Sequence, residues 1–186
     1  MDKDLIIETD RLILRQFRLE DADDVVDGLN NINITKWMSH TPYPYTKEDA
    51  LEYINNTIDN KLYNFAIVLK ENNKVIGGTQ LRSIDYVQGT AHGGIWINEK
   101  YHGHGYGTEA WGARIKYAFE ELGLRRLENG FFDGNESSWK MQEKFGYKIE
   151  GTKRQRYKCL STGKIVDEHI TGLLRDEWVQ YKYHSE

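Results

Sequence analysis

The chain has 186 residues, of which 39% are hydrophobic and 29% charged, a composition typical of a folded globular protein rather than a disordered one. Its formal net charge of -4 gives no support to a general nucleic-acid binder or to a protein of anionic membrane surfaces. No run approaches the roughly 18 apolar residues of a membrane-spanning helix, and the charged start lacks the apolar run of a signal peptide. The single cysteine, Cys159, excludes an internal disulfide framework, fits a reducing compartment and is expected to be a buried thiol. We therefore expect one cytoplasmic domain over residues 1–186.

The first third of the sequence predicts one strand and two helices. A strand is expected around Leu12–Gln16, followed by an acidic helix that the segment Asn30–Asn33 ends. Residues 34–46 hold several aromatic side chains and a proline pair that blocks regular helix. This segment is expected either to pack on the domain or to line a substrate groove. Thr46 then begins a capping box and a second helix, which is expected to end near Asn60.

From residue 65 onward the pattern predicts a meander of strands and then alternating helices and strands. The best-patterned helix follows the strand that ends at Asn98, because apolar residues from Trp111 to Leu122 recur at helical spacing and Gly123 follows as a C-cap. A polar connection is expected over residues 82–90. The other expected elements are a short helix over Ser137–Phe145 and strands at Phe65–Leu69, Val75–Leu81, His92–Asn98, Leu124–Phe132, Tyr147–Gly151, Arg154–Leu160 and Val166–Leu174. This order predicts an α/β fold built on one mixed sheet.

A glycine-rich loop, Gly103 to Gly107, joins the strand ending at Asn98 to that helix. Its three glycines alternate with His104 and Tyr106. Glycine lets a ligand approach the main chain, and the N–H groups and dipole of a helix start favour an anion such as phosphate. A P-loop is excluded because no Gly-Lys-Ser/Thr sequence follows the first glycines. A dinucleotide fingerprint is disfavoured because the third glycine comes one residue early and no βαβ unit precedes the loop.

Three segments of the sequence together resemble the GCN5-related N-acetyltransferase (GNAT) superfamily. Residues 101–110 are similar to that family's loop, Tyr-Arg-Gly-Lys-Gly-Tyr-Ala-Thr-Glu-Ala, with His102 where relatives keep Gln or Arg. Residues 135–138 and 143–147 resemble the Asn-x-x-Ser and Glu-Lys-Leu-Gly-Phe segments of the ribosomal-protein (Rim-type) N-acetyltransferases, and residues 8–15 resemble the opening of the family. The resemblance covers about residues 8–175.

The resemblance implies an acetyl-CoA-dependent N-acetyltransferase whose central, mostly antiparallel sheet is flanked by helices. The loop would hold the pyrophosphate of acetyl-CoA, and the pantetheine arm would run along the preceding strand like an added strand. That strand would splay from the next one and leave a slot for the thioester. The residues expected to bind the coenzyme are Ile95, Trp96, Ile97, His102, Gly103, His104, Gly105, Tyr106, Gly107, Thr108, Asn135 and Ser138.

Direct attack by a neutral amine requires a base that removes a proton from the ammonium. His92 is the first candidate, because a neutral imidazole suits this task near pH 7 and relatives often carry a glutamate at this place. Glu99 is the second candidate. The alternatives are that His92 is a solvated or structural histidine, that Glu99 is a charged turn residue, and that a chain of water molecules removes the proton.

The reaction also requires a donor to the oxyanion and an acid that reprotonates the thiolate. The resemblance implies a backbone N–H near Trp96 or Ile97 for the oxyanion and Ser138 for the acid. The tyrosine that many relatives use as acid is replaced here by Gln142, and the base glutamate of Rim-type enzymes by Arg156. These departures weaken the transfer of the Rim-type mechanism and of the ribosomal substrate.

The expected partners are acetyl-CoA and an amine acceptor, either a small molecule or a protein N-terminus, in a monomer or a homodimer without nucleic acid or membrane. No zinc-ligand spacing occurs among the six histidines and the cysteine, so no metal is expected. Aromatic and acidic residues between positions 20 and 45 suggest a cation-accepting rim, with a solvated acidic helix and a packed loop as the alternative. A non-catalytic acyl-CoA-binding module is the alternative function, and a dinucleotide-binding protein is a more distant one.

Overall fold

The computed structural model describes residues 5–59 and 63–179, and every structural statement below concerns that part of the chain. The strands are β1 (Ile6–Glu8), β2 (Leu12–Gln16), β3 (Tyr63–Leu69), β4 (Val75–Asp85), β5 (Thr90–Ile97), β6 (Arg126–Phe132), β7 (Lys148–Lys158) and β8 (Ile165–Leu174). The helices are α1 (Ala22–Leu29), α2 (Ile32–Thr35), α3 (Lys47–Asp59), α4 (Tyr106–Lys116) and α5 (Glu136–Glu143). A π-helical turn, Tyr117–Glu121, extends α4.

The described strands form one sheet in the order β1-β2-β3-β4-β5-β6-β8-β7. Every neighbouring pair is antiparallel except β5 and β6, which are parallel. The first five strands lie side by side in chain order, with α1 to α3 between β2 and β3, whereas α4 is the crossover that makes β6 parallel to β5. The predicted mixed, mostly antiparallel sheet is confirmed.

Helices cover both faces of the sheet because the side chains of a strand alternate between its faces. On one face, α1 and α3 pack through Val25 and Ile54 against Ala66 and Val68 of β3. On the other face, Ala110 of α4 packs in a cluster that includes buried side chains of β2 and β3. The loop that precedes α4 therefore lies at the carboxyl end of β5. Within the described residues, no helix is both long and apolar enough to cross a bilayer.

Several predicted boundaries prove wrong. The polar connection predicted over residues 82–90 is largely strand, because β4 continues to Asp85 and Arg82 pairs with His92 of β5. The two strands predicted over residues 147–160 are one strand, β7, with a register irregularity between Lys153 and Tyr157. Both stretches are polar because most of their side chains are exposed, which hides strand pairing from a hydrophobicity pattern. The short elements β1 and α2 were not expected. The predicted end of the second helix, near Asn60, lies outside the described residues.

Local capping signals are confirmed where the sequence carries them. The hydroxyl of Thr46 accepts a hydrogen bond from the backbone N–H of Asp49, whose carboxylate accepts in return from the backbone N–H of Thr46. The chain leaves the helical segment at Gly123, whose φ of 65° lies in the left-handed region. Cys159 is fully buried, as expected, just beyond the end of β7.

Candidate active site

A wedge opens between the parallel strands β5 and β6. They pair only at their first three residues, the last pair being His92 and Glu128. Beyond this pair β5 stays bonded to β4 as far as Ile97, and β6 stays bonded to β8 as far as Phe132. The two strands therefore diverge from Gly93 onward, and the backbone edge of β5 that faces β6 has no strand partner in the described part of the chain. The predicted splay is present in this fold.

A cavity of about 1270 Å³ runs through the wedge. The glycine loop, β5, β6 and residues 36–41 all contribute to its lining. The start of α5 adds Asn135 and Ser138, with Lys140 and Lys144 on the same helix side. Every residue predicted to bind the coenzyme lines this cavity except His104. The volume is large enough for an extended, drug-sized or larger molecule.

The loop has the backbone geometry of an anion site. Gly103 and Gly105 have φ values of 81° and 78°, a left-handed conformation that glycine adopts without the steric cost of a Cβ. Helix α4 begins directly afterwards, and its N-cap, Gly105, supplies no side-chain hydrogen bond. The N–H groups of a first helical turn have no intrahelical acceptor, so they and the helix dipole favour an anion here.

The two histidines of the loop point back to the protein rather than into the loop mouth. Nε2 of His102 lies 2.8 Å from the carbonyl oxygen of Ile97, which ties the loop to the end of β5. Nδ1 of His104 lies 2.8 Å from the carbonyl oxygen of His102, and the His104 ring stacks on Tyr106 with 5.7 Å between ring centroids. His102 therefore braces the loop in the place where relatives keep Gln or Arg.

The turn between β1 and β2 supports the same loop. The sequence did not reveal this contact. Glu109, whose side chain is 1% exposed, accepts hydrogen bonds from the hydroxyl of Thr9 and from the backbone N–H and Nε of Arg11. Nη1 of Arg11 donates to the carbonyl oxygen of His104 at 3.0 Å, and its guanidinium lies over the Tyr106 ring. An acid in the first turn of α4 was visible in the sequence, but its partner 98 positions earlier was not.

The structure places His92 in a charged row on the sheet face that carries α1 and α3. Nε2 of His92 lies 3.0 Å from a carboxylate oxygen of Glu128, at the last pair before the wedge. Nε of Arg126 donates to Glu128, and its Nη groups form a bidentate pair with Glu150 of β7. The Arg126 guanidinium lowers the pKa of Glu150. His92 does not itself line the cavity, but its neighbours Gly93 and Gly94 do.

Glu128 was not among the predicted site residues. A carboxylate that holds one imidazole nitrogen fixes the orientation of the ring. This is the positioning role that the partner of a general base plays. The residue type was visible in the sequence, but its register with His92 depends on the parallel pairing of two strands that are separated by α4.

The start of α5 holds a buried polar relay. The side chain of Asn135 caps the helix by accepting from the N–H of Ser138 at 3.4 Å. The hydroxyl of Ser138 accepts from Nε2 of Gln142 at 3.1 Å, and the fully buried Gln142 accepts from the hydroxyl of Thr171 at 2.6 Å. Because Ser138 is an acceptor in this relay, its own proton stays available to a group in the cavity. Gln142 thus orients the serine where many relatives place a tyrosine.

Glu99 lines the cavity beside the loop but is held by side chains of the α2 region. Its carboxylate accepts from Nδ2 of Asn31 at 2.6 Å and from Nδ2 of Asn33 at 3.2 Å. These two bonds lower the pKa of Glu99. A carboxylate with a lowered pKa is a weak acceptor of an ammonium proton, which argues against Glu99 as the base.

Part of the segment that was expected to form a cation-accepting rim lines the cavity. Trp37, Met38 and His40 line it, whereas Tyr45 lines it from the hydrophobic core. The carboxylates of the first helical region do not line the cavity, and basic residues elsewhere in the chain bind four of them. These ion pairs are Asp21–Arg15, Asp23–Lys47, Asp24–Lys74 and Asp27–Lys100. In the described residues, no group of three or more His, Cys, Asp or Glu side chains could hold a metal.

Comparisons with known proteins agree with this geometry. The model of an acetyltransferase (GNAT) domain family matches residues 11–148. The chain is 31% identical over 173 residues to the uncharacterized N-acetyltransferase p20 of Bacillus licheniformis, covering 91% of this chain and 96% of that protein. A GNAT-family acetyltransferase from Bacillus anthracis superposes with a TM-score of 0.82 at 25% identity, over 93% of this chain and 100% of that one. Ribosomal-protein-S5-alanine acetyltransferase from Vibrio fischeri superposes with a TM-score of 0.75 over 95% of this chain and 100% of that one. At 21% identity, this comparison shows a similar fold and no more.

Proposed function

Because this chain belongs to the acetyltransferase (GNAT) family and is an acetyltransferase, we propose that it transfers the acetyl group of acetyl-CoA to a primary amine. The observation that carries this proposal is the wedge between β5 and β6, which opens at His92 and Glu128 and continues to the glycine loop. One cavity thus joins an anion site to an unpaired strand edge, and a histidine–carboxylate pair lies at the strand positions where the wedge opens. Each of these three parts serves a different part of the reaction.

The donor end of the cavity matches the chemistry of coenzyme A. The N–H groups that begin α4 face the place of the pyrophosphate, and Lys140 and Lys144 add positive charge on the facing helix. The amide groups of the pantetheine arm would bond to the free edge of β5 as an added strand does. Trp96 contributes its main chain to this wall, because its ring packs in the core against Gly28 and Gly78.

The proposed reaction is direct attack, without an acyl-enzyme. The amine gives a proton to His92, the amine nitrogen forms a bond to the thioester carbonyl carbon, and the carbon–sulfur bond breaks. Glu128 stabilises the imidazolium that forms. A backbone N–H near Trp96 or Ile97 donates to the oxyanion, Ser138 gives its proton to the leaving thiolate, and the proton held by His92 returns to Ser138 through water.

Isothermal titration calorimetry with acetyl-CoA tests the donor site through a matched pair of substitutions. A Cβ at Gly103 would meet nothing within 4 Å, and asparagine and aspartate both tolerate its positive φ better than other residues do. Gly103→Asn and Gly103→Asp should therefore melt within a few degrees of each other. We expect Gly103→Asp to bind acetyl-CoA at least tenfold more weakly than Gly103→Asn, because its charge faces the pyrophosphate.

Thiol release from acetyl-CoA with a panel of amines then tests catalysis. No binding of acetyl-CoA by the unaltered protein at millimolar concentration would overturn the proposed donor. Binding without amine-dependent thiol release would instead support a non-catalytic acyl-CoA-binding role. Equal affinities for the two Gly103 variants would mean that the loop is a tight turn and not a phosphate site.

A further inference from the structure

One carboxylate reaches into the wedge from β8. Glu168 lies opposite Phe132 of β6, and its side chain crosses onto the place that a side chain at Gly130 would fill. A Cβ at Gly130 would lie 2.5 Å from Oε1 of Glu168 and 2.9 Å from its Cδ. The glycine therefore leaves the space that the carboxylate occupies. The side chain of Glu168 is only 17% exposed, and it lines the cavity.

This carboxylate is the least satisfied one on the cavity wall. In the described part of the chain its recorded side-chain partner is Nε of Arg156, at 3.9 Å, which is the outer limit of an ion pair. The other acidic residues on the wall differ, since Glu99 accepts from two asparagines and Glu136 is 80% exposed beside Lys140. A mostly buried carboxylate without a close donor is costly. Such a group is suited to a cation that enters the cavity.

Aromatic rings line the same face of the wedge. The Phe132 and Tyr157 ring centroids are 5.8 Å apart, and the His40 ring lies 6.0 Å from that of Tyr157. The segment that carries His40 is fixed to the end of β7, because the backbone N–H of Leu160 donates to the carbonyl oxygen of Ser39. All three rings line the cavity. They form an aromatic wall beside one carboxylate.

The carboxylate lies within reach of the reaction site that we propose. Gly130 is two residues beyond Glu128, about 6.6 Å farther along β6 at the rise of a strand. Glu168, Glu128 and His92 lie on the same face of the sheet, because opposite residues share a face and alternate residues of a strand do too. An ammonium on Glu168 would therefore enter the wedge from the face that carries the histidine.

From this geometry we infer that Glu168 binds the ammonium group of the acceptor and that the aromatic wall packs on its apolar part. The acceptor class is a monocationic primary amine that carries an aryl or alkyl group. This inference rests on the proposed function and specifies the class of its second substrate, the amine acceptor. Glu168 selects the acceptor, whereas His92 takes the proton.

Steady-state kinetics at saturating acetyl-CoA test the inference, with 2-phenylethylamine as the probe. We expect Glu168→Gln to raise KM for this amine about tenfold to hundredfold, the range for loss of a charged hydrogen bond, with kcat changed less than threefold. Gly130→Ala should raise the same KM while keeping the charge, because its Cβ displaces the carboxylate. Glu136→Gln is the matched control, because it removes another cavity carboxylate by the same substitution and should leave KM unchanged.

Binding measurements separate recognition from folding. Acetyl-CoA should bind Glu168→Gln as tightly as it binds the unaltered protein, which shows that the variant is folded. The neutral analogue 2-phenylethanol should inhibit both proteins equally, because it has no ammonium for Glu168 to bind. A KM within twofold of the unaltered value, or failure of the acetyl-CoA-loaded protein to accept 2-phenylethylamine, would overturn the inference. Both results leave the donor site standing, whereas failure to bind acetyl-CoA would remove the proposed function itself.

Discussion

Replacing Gly93 by alanine should strongly destabilise this protein, because a buried arginine fills the space beside it. A Cβ at Gly93 would lie 2.1 Å from Nη1 of Arg114 and 2.6 Å from its Cζ. Arg114 is fully buried in α4, and its Nη1 donates to the carbonyl oxygens of Gln80 and Gly94 at 3.0 and 3.4 Å. Burial lowers the pKa of this arginine. The guanidinium therefore holds β4 and β5 together at the point where the wedge begins.

The expected cost follows from these contacts. Displacing the guanidinium breaks its 3.0 Å hydrogen bond to Gln80, a bond from a charged group worth about 1.5–3 kcal/mol, and overpacks the core by about 1–3 kcal/mol. Alanine recovers about 0.4–1 kcal/mol by restricting the unfolded chain. We expect Gly93→Ala to lower the free energy of unfolding by about 3 kcal/mol, measured by urea denaturation. For a chain of this length the melting temperature should fall by about 6–12 °C.

Two further variants make this test specific. Gly151→Ala is the matched control, because a Cβ at Gly151 would meet nothing within 4 Å, and it should change the free energy of unfolding by less than about 0.5 kcal/mol. Adding Arg114→Met to Gly93→Ala should restore at least half of the loss, since the clash disappears. A Gly93→Ala protein within about 1 kcal/mol of the original, or a double variant no more stable than the single one, would refute this reasoning.

Three other predictions follow from the site and its supports. His92→Gln should lower kcat for amine-dependent thiol release at least tenfold while acetyl-CoA affinity stays within twofold, and an unchanged kcat would remove His92 as the base. Glu109→Gln should cost about 1.5–3 kcal/mol in urea denaturation, because the hydrogen bonds from Arg11 and Thr9 to a buried carboxylate are lost, and a loss below about 1 kcal/mol would contradict this. The pKa of Glu150 is lowered by Arg126, so this carboxylate stabilises the fold above its unfolded pKa of about 4.3, and that contribution is lost as pH falls further. Glu150→Gln should therefore flatten the stability–pH curve below about pH 4.5, whereas a curve parallel to the original would argue against the ion pair.

Local sequence determined the parts of this protein that depend on neighbours along the chain. The family resemblance predicted from the loop and its flanking segments is confirmed by the match to the family model over residues 11–148. The capping box at Thr46, the helix after the loop and the positive φ at Gly103 and Gly105 are all present. Capping, helical periodicity and glycine conformation act over a few residues, so a short stretch of sequence carries the whole signal.

Tertiary structure alone decided which side chains meet at the wedge. The sequence offered His92 as a candidate base, but it offered Glu128 and Glu168 only as ordinary polar residues of other strands. Their placement on one face depends on strand register and on the parallel step made by α4, and neither leaves a mark in local composition. The same holds for the acidic residues of α1, which looked available to a substrate until distant basic residues proved to bind them. Spacing along a chain fixes local backbone geometry, whereas pairing between charges that are distant in sequence is fixed only by the tertiary structure.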